Sequence, residues 1–334
     1  MSFLDGCGCR KGFPGLLLVV ALCGNFLSTA DVSAYAHNGR QFLSVGTAPP
    51  GGAFFVVGGA IAQVVNENST DLNWEVVAEA TKGTQENIRL LSRGELEFSL
   101  ANAAISYFAL RGKGAWKRKQ SIRSVMTLAP NVALFISTRS SGVENIADLK
   151  GKRVIVGPAG AGFEYFLEPI LTAHGVDYQD FTPLKNTQSS AVNMLADGSV
   201  AAAFLGGAVP TASITQAASS QDLYFVPFDV DAKRRLISDY PFFDIATIPA
   251  QTYRNQERPF DGMNVGAMQL ITLTSLDEEQ VYQFTRILYE HRAKVVKKHP
   301  AGKSINPKNV VKDVGTPFHN GAVRFYKEIG IWPK

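Results

Sequence analysis

Two glycine-rich turns offer main-chain chemistry before any side chain does. The first, Gly46-Thr47-Ala48-Pro49-Pro50-Gly51-Gly52, follows the apolar run Phe42-Leu43-Ser44-Val45. The second, Gly157-Pro158-Ala159-Gly160-Ala161-Gly162, follows Arg153-Val154-Ile155-Val156. Each run reads as a strand, and each turn opens a stretch that reads as a helix. Glycines at a strand end let N–H groups face outward, and the following helix adds the positive end of its dipole. The product is a small anion site. Two such sites roughly a hundred residues apart imply two α/β lobes, with a ligand held between the carboxyl ends of their strands.

Two more turns point to the same cleft. In Thr81-Lys82-Gly83-Thr84-Gln85-Glu86-Asn87, Thr84 reads as an N-cap with Asn87 three residues on, near a capping box. Ala101-Asn102-Ala103-Ala104 is the fourth strand-to-helix turn. Each alone is an ordinary helix start; four of them over two lobes read as a cleft lined by helix N-termini.

The elements that must position these turns alternate short β-rich runs with amphipathic stretches, the pattern of parallel α/β architecture. Trp74-Glu75-Val76-Val77-Ala78 and Glu97-Phe98-Ser99-Leu100-Ala101 read as strands, each followed by a helix, the first through Ile88, Leu90 and Leu91, the second through Ile105 and Leu110. The segment from Ile122 to Ser137 gives two β-like runs split by Pro130 and reads as the crossover to the second lobe. A helix is expected from Gly162 to His174, with Gly175 as its C′ residue. Asn186 can cap the next one, through Val192 and Leu195. Ala201-Ala202-Ala203-Phe204-Leu205 reads as a buried strand, which the glycines Gly206-Gly207 after it favour over a short helix. The return to the first lobe is expected between Tyr240 and Tyr253.

Several chemistries find no footing. Gly160-Ala161-Gly162 begins a dinucleotide fingerprint, but the third glycine would fall at Tyr165. Pro300-Ala301-Gly302-Lys303-Ser304 resembles the end of a phosphate loop, yet Lys297 stands where the motif needs glycine. There is no GxSxG elbow, and His37, His174, His291, His299 and His319 are scattered without metal-ligand spacing. His319, between Pro317 and Gly321, reads as a structural turn residue. The basic run Arg111, Lys113, Lys117, Arg118, Lys119 and Arg123, with Trp116 inside it, reads as a solvated helix end and loop rather than a docking surface.

The start of the chain reads as a secretory signal. Arg10 and Lys11 precede the apolar Leu16-Leu17-Leu18-Val19-Val20-Ala21-Leu22, and Ala34-Tyr35-Ala36 is a small-x-small cleavage site. Gly24 and Asn25 break the run below the roughly twenty apolar residues of a membrane span. Lipidation at Cys23 is the alternative, and the large Leu22 before it speaks against that. Cys7, Cys9 and Cys23 are the only cysteines and all fall in this segment. A mature chain from His37 therefore has no thiol for disulfides, nucleophiles or metal sites. Its formal charge stays at +4, because cleavage removes Asp5 and Asp31 together with Arg10 and Lys11; that mild excess does not mark a nucleic-acid binder.

Six blocks, in order, resemble one known family. GTAPPGGAFFVVGGA from Gly46 to Ala60 is similar to that family's GTGGTGGVYYPLGGA, and Thr81 to Asn87 to its TxGSVEN. DLKGKRV stands unchanged from Asp148 to Val154, and Ala159 to Phe163 corresponds to PGSGT. IPAQTY from Ile248 to Tyr253 and HNGAVRFYKE from His319 to Glu328 correspond to IPAGTY and HPGAxRFYKE. The chain thus resembles the TAXI type of solute-binding protein, the extracytoplasmic subunit of TRAP (tripartite ATP-independent periplasmic) transporters. The resemblance implies a two-lobe periplasmic-binding-protein fold of type II, with the ligand cleft between lobes and a double-crossing hinge. It also implies capture of a small solute, often an amino or organic acid, for an ion-gradient-driven permease.

The departures from the family pattern fall at the ligand. Ala48, Pro49 and Pro50 replace Gly, Gly and Thr; Ala161 and Phe163 replace Ser and Thr; Asn102 and Ala104 stand where the family often has Gln and Asp. The cleft loses hydroxyls and a carboxylate that could hold an ammonium group, while Phe54, Phe55 and Phe163 make it more apolar. A monocarboxylate or dicarboxylate with an apolar body is therefore expected over a free amino acid.

The expected organisation is a signal peptide over 1–36, lobe one over 37–134 and 249–334, and lobe two over 135–248. The expected solute-binding residues are Thr47, Gly51, Gly52, Phe54, Phe55, Thr81, Gly83, Thr84, Asn102, Gly160, Ala161, Gly162, Phe163 and Gly207. No catalytic residue, metal or cofactor is expected. The protein is expected in the periplasm as a monomer, with a small carboxylate solute and TRAP permease subunits as partners and no nucleic acid. A ligand-sensing domain for a membrane receptor and an enzyme on the same fold are the alternatives.

Overall fold

A computed structural model describes residues 39–333 of the chain. The expected signal segment, with its cleavage site and cysteines, lies outside the described residues. The first sheet takes strands β1 (Gln41–Gly46), β2 (Trp74–Glu79), β3 (Phe98–Asn102) and β4 (Ile122–Thr127). The second takes β5 (Val132–Thr138), β6 (Arg153–Ile155), β7 (Thr182–Leu184), β8 (Ala202–Gly207), β9 (Leu223–Val226), β10 (Phe243–Ile248) and β11 (Phe260–Val265). The chain then returns, and β12 (Met268–Leu273) inserts between β3 and β4, giving the order β2-β1-β3-β12-β4. The second sheet runs β10-β11-β5-β8-β6-β7, with β9 also paired to β5.

The helices are α1 (Ala53–Glu67), α2 (Thr84–Ser92), α3 (Ala103–Arg111), α4 (Glu164–Ala173), α5 (Gln188–Ala196), α6 (Ala212–Ser220), α7 (Val230–Asp239), α8 (Glu278–Glu290), α9 (Arg292–Lys298) and α10 (Asn320–Glu328). None of the described helices is long and apolar enough to cross a membrane. The result is a two-lobe α/β fold of the periplasmic-binding-protein kind. Only the βαβ parts are parallel: β1 with β2 and β3, and β6 with β7 and β8. The strands next to the crossings, β5, β11 and β12, pair antiparallel: both crossings lie on one side, so β12 begins where its neighbour β4 ends, and β5 begins where its neighbour β11 ends.

The outgoing crossing is 128–131 and the return is 266–267, and the outgoing segment is hydrogen-bonded to the strand ends that flank the return. Leu128 N–H donates to Met268 O at 2.8 Å, Met268 N–H to Ala129 O at 2.8 Å, and Val265 N–H to Asn131 O at 2.9 Å. By sheet membership, residues 132–134 and the strand Phe260–Val265 sit with the second sheet. We therefore propose lobe boundaries at these crossings in place of the expected ones at 135 and 249. The hairpin strand β11 reads poorly as a strand because Asp261, Gly262 and Asn264 are all residue types depleted in sheets.

Each lobe has a core of its own. In the first, α1 and α8 cover the sheet, and Phe98 stacks on Phe284 with ring centroids 4.0 Å apart. In the second, α5 and α6 cover one face through Ala191, Leu195, Ile214 and Ala218. A third apolar cluster crosses between lobes, joining Ile88, Ile105 and Trp116 of the first to Tyr165, Phe166 and Phe242 of the second. Phe108 stacks on Tyr165 at 5.3 Å, and Trp116 lies parallel to the same ring at 6.4 Å. Lys113, Lys117, Arg118 and Lys119 are exposed as expected of a solvated loop, whereas Trp116 is buried between the lobes.

Local caps follow their residues. His319 caps α10, its Nδ1 accepting from Gly321 N–H, and Gly175 takes the left-handed conformation after α4 (φ 70°). Two caps fall one residue away from expectation. Thr187, not Asn186, caps α5 by accepting from Ser190 N–H. Gly83, not Thr84, is the N-cap of α2. Its φ of 111° is a conformation L side chains avoid. That register puts Glu86 in the third helical position, where its carboxylate accepts from Lys82 N–H.

Candidate functional site

The ends of β1 and β2 are locked together first. Thr47 is buried, and its hydroxyl donates to Glu79 O at 2.8 Å. Thr81 donates to Thr47 O at 3.2 Å and accepts from Gly83 N–H at 3.1 Å. Asn87 donates to both Thr47 O and Leu100 O, at 2.8 Å each. These bonds hold the Pro49–Gly52 and Lys82–Thr84 turns at one edge of the first lobe. Asn102 caps α3 by accepting from Ala104 N–H at 2.8 Å, and its amide group donates to Val265 O and Gly266 O at 3.1 and 3.0 Å. The same residue therefore ties the start of α3 to the return crossing.

The glycine turns then meet helix N-termini of the opposite lobe. Gln85 N–H, in the first turn of α2, donates to Ala161 O at 3.1 Å, and Glu86 N–H donates to Gly160 O at 3.2 Å. In the reverse sense, Ser213 N–H at the start of α6 donates to Gly51 O at 3.2 Å, and the Ser189 hydroxyl donates to Pro50 O at 3.2 Å. The turns thus offer carbonyls, not amides, across the gap. The sequence reading looked to the N–H groups of these turns for an anion and did not foresee this use of their carbonyls. The lobes stand closed, and the close approach explains the glycines: a Cβ on Gly83 would sit 3.2 Å from the Ala161 Cβ, and one on Gly162 would sit 3.1 Å from the Gln85 Cβ.

Behind these contacts lies a cavity between the lobes, with about 50 Å³ open to water. By the rough 10–15 Å³ that one water needs, it holds about three to five of them. Of the residues expected at the site, Gly52, Phe54, Gly83, Thr84, Asn102, Ala161 and Phe163 line it. Thr47 and Thr81 instead brace the strand ends, and Gly51, Gly160 and Gly162 form the interlobe contacts. Gly207 backs the wall, where a Cβ would sit 3.3 Å from that of Ala53. Phe55 is 37% exposed and outside the lining.

The sequence reading missed Lys82, Asn131 and Gln188, which also line the cavity. Lys82 sat unremarked inside a quoted motif. Gln188 opens α5, its amide donating to Gly206 O at 2.8 Å and its oxygen accepting from the Ser213 hydroxyl at 2.9 Å. Asn131 belongs to the crossing that Pro130 had already flagged.

The polar character of the lining favours an acceptor-rich guest. Lys82 is its one titratable side chain, and Lys82 is held 3.4 Å from Glu86 at the exposed edge. Helix α1 has no side-chain cap, and its first residues, Ala53 and Phe54, line the cavity, so its N-terminal dipole faces inward. The Thr84 hydroxyl accepts from Asn102 N–H at 3.0 Å and keeps its own proton to give. Asn102, in contrast, has spent its donors and acceptors on α3 and the crossing.

On either side of the cavity, other groups bridge the lobes. Tyr165 OH accepts from Ala115 N–H at 3.0 Å, and burial raises its pKa above the ordinary phenol value. His299 accepts from Ala301 N–H at Nδ1, so the proton sits on Nε2, which donates to Pro210 O at 3.2 Å. Burial lowers the pKa of His299 below the usual imidazole value, against the opposing effect of that carbonyl. A larger depression of about 720 Å³ lies open on the second lobe between α4 and α7, lined by Glu168, Asp177 and Arg235 among others. None of the strand-end turns reaches it, so the smaller interlobe cavity is the candidate site.

Two α/β lobes closed over a cavity at the ends of their strands define the class: the fold is that of solute-binding proteins. Within it, the chain belongs to the NMT1-like family, whose model matches residues 45–330. Among solved structures, a protein from Bordetella bronchiseptica RB50 aligns over 86% of this chain and 82% of its own, with 13% identity and a TM-score of 0.53. The binding protein component of an ABC phosphonate transporter from Pseudomonas aeruginosa aligns over 78% of this chain and 79% of its own, with 11% identity and a TM-score of 0.51. At such identities the likeness is one of fold.

Proposed function

We propose that this chain is an extracytoplasmic solute-binding protein that captures a small carboxylate between its lobes and delivers it to a membrane permease. The observation that carries this is the composition of the interlobe cavity, whose lining holds a lysine, an uncapped helix N-terminus and a free hydroxyl proton and no carboxylate, Glu86, the partner of that lysine, standing outside the lining. Such a site attracts an anion and leaves an ammonium group unpaired, which disfavours a free amino acid. Phe54, Phe163, Pro49 and Pro158 supply apolar walls for a carbon skeleton. A cavity with one titratable side chain also lacks the acid–base pair that an enzyme on this fold would use.

The six TAXI-like blocks favour a TRAP permease as the receiver, driven by an ion gradient. A second reading, delivery to an ABC transporter, is favoured by the fold shared with the binding protein component of an ABC phosphonate transporter. A periplasmic location follows from either, with residues 1–36 as the export signal and a monomer as the working form. Native mass spectrometry of freshly purified protein tests the capture step: a bound acid of low mass is expected. Calorimetry in which glutamate binds tightly, undiminished in Thr84→Ala, overturns the ligand class, and turnover of any captured acid overturns the binding-protein reading. Uptake in vesicles then separates the permeases, since collapse of the ion gradient stops a TRAP system and ATP depletion stops an ABC one.

A further inference from the structure

Asn131 sits in the outgoing crossing and lines the cavity with 6% of its surface exposed. Its main chain is engaged: the N–H donates to Asn264 Oδ1 at 3.0 Å, and the carbonyl accepts from Val265 N–H at 2.9 Å. Its carboxamide, with two donors and an acceptor to offer, has no partner among the described residues. Nor is it sealed among its neighbours, for it is not one of the side chains whose polar atoms are both enclosed and unpaired. A buried amide without a partner is costly, so one that opens on a cavity marks a place for a polar guest.

We infer that the Asn131 carboxamide contacts the solute directly and sets its specificity, and that the solute is a carboxylate of about two or three carbons. The assignment rests on the solute-binding reading above. The size follows from a cavity of about 50 Å³, room for about three to five waters, which admits a short acid and excludes an aromatic one from the closed form. The charge follows from the neighbours, since Lys82, the Thr84 hydroxyl and the start of α1 can give hydrogen bonds to the same guest. Placement matters too. A solute held by Asn131 bonds the residue whose main chain ties the two crossings together, so occupancy reaches the hinge without an intermediary.

Calorimetry of the whole protein with acetate, propionate, glycolate and pyruvate, and with glutamate and benzoate as larger comparators, tests this. The native protein should bind one of the short acids most tightly. Asn131→Ala should weaken that binding about ten- to a hundredfold, the range expected for a hydrogen bond to a charged group. Asn131→Asp, which keeps the shape and adds a negative charge, should abolish it, and carries the test if Asn131→Ala does not fold. Asn264→Ala, which removes the acceptor of Asn131 N–H from outside the cavity lining, should cost less than either. Native-like affinity in both Asn131 variants overturns the assignment while leaving the solute-binding reading intact. Tightest binding of benzoate or glutamate overturns the size argument, and binding of none of these acids by the native protein overturns the carboxylate reading and the assignment with it.

Discussion

Gly83→Ala should open the lobes, and Gly94→Ala should not. Both glycines have positive φ, 111° and 72°, so each alanine incurs backbone strain of about 1–3 kcal/mol. They differ in what the new methyl group meets. At Gly94 nothing lies within 4 Å, whereas at Gly83 the methyl would sit 3.2 Å from the Ala161 Cβ and 3.4 Å from its Cα. Relief of that contact moves the 160–162 turn away from α2 and breaks the bonds from Gln85 N–H to Ala161 O and from Glu86 N–H to Gly160 O. At about 0.5–1.5 kcal/mol net for each bond, closure loses about 1–3 kcal/mol. The closed-to-open ratio then falls roughly 5- to 160-fold, and if only the closed form binds, the apparent affinity falls by up to the same factor.

Small-angle scattering and calorimetry on the two variants read this difference directly. Both should melt a few degrees lower than the native protein, from the shared strain. Gly83→Ala alone should show a larger radius of gyration and weaker solute binding. Equal radii and equal affinities in the two variants would refute the idea that the turn carbonyls on α2 hold the lobes closed.

Other perturbations follow from single groups. Asn102→Ala should cost about 1–3 kcal/mol, from the lost cap on α3 and two stranded carbonyls at Val265 and Gly266, read as a lowered chemical-denaturation midpoint. Tyr165→Phe leaves the ring stacking in place but strands Ala115 N–H, so a loss of about 1 kcal/mol with an unchanged fold is expected by the same assay. Burial holds His299 below the usual imidazole pKa near 6.5, so the unfolded chain takes up a proton before the folded one does. Stability should therefore fall as pH drops below about 6.5, by at most about 1.4 kcal/mol per pH unit for this group, until the folded form titrates too. His299→Gln should flatten the acid side of the melting curve against pH. An identical slope would show that His174 and His319, both lowered by burial as well, carry the effect.

The strand-to-helix turns were legible because glycine and proline punctuate them, and the alternation of β-rich and amphipathic runs gave the two lobes. What the turns do was not legible. A glycine that presents an amide to a ligand and one that lets a neighbouring loop approach look alike in sequence, and the close approach at Gly83 and Gly162 is seen only once the lobes are in place. The cap of α2 moved from Thr84 to Gly83 because a glycine can serve as N-cap through its backbone alone, leaving no side-chain signal. Strand β11 was hidden by Asp261, Gly262 and Asn264, whose place in the sheet comes from pairing with β10 and β5 rather than from propensity. Asn131 and Gln188 carried no motif; each is a cavity residue only because the crossing and α5 bring it there.

Main-chain groups do much of the work in this cleft, and this reconciles the family resemblance with its departures. The replaced hydroxyl positions at Ala161 and Phe163 are walls here, and Phe163 packs against Phe166 and Phe204 at 5.1 and 5.9 Å. Closure depends on the carbonyls of Pro50, Gly51, Gly160 and Ala161, which survive any side-chain change that keeps the backbone path. Closure therefore rests mainly on main-chain groups, and the polar character of the cavity mainly on side chains. Substitutions at the turns alter how tightly the lobes shut on whatever is bound. Under the proposed function, substitutions at Lys82, Thr84, Asn131 and Gln188 should alter what that is, since these are the cavity's side chains with hydrogen-bonding capacity beyond the spent Asn102.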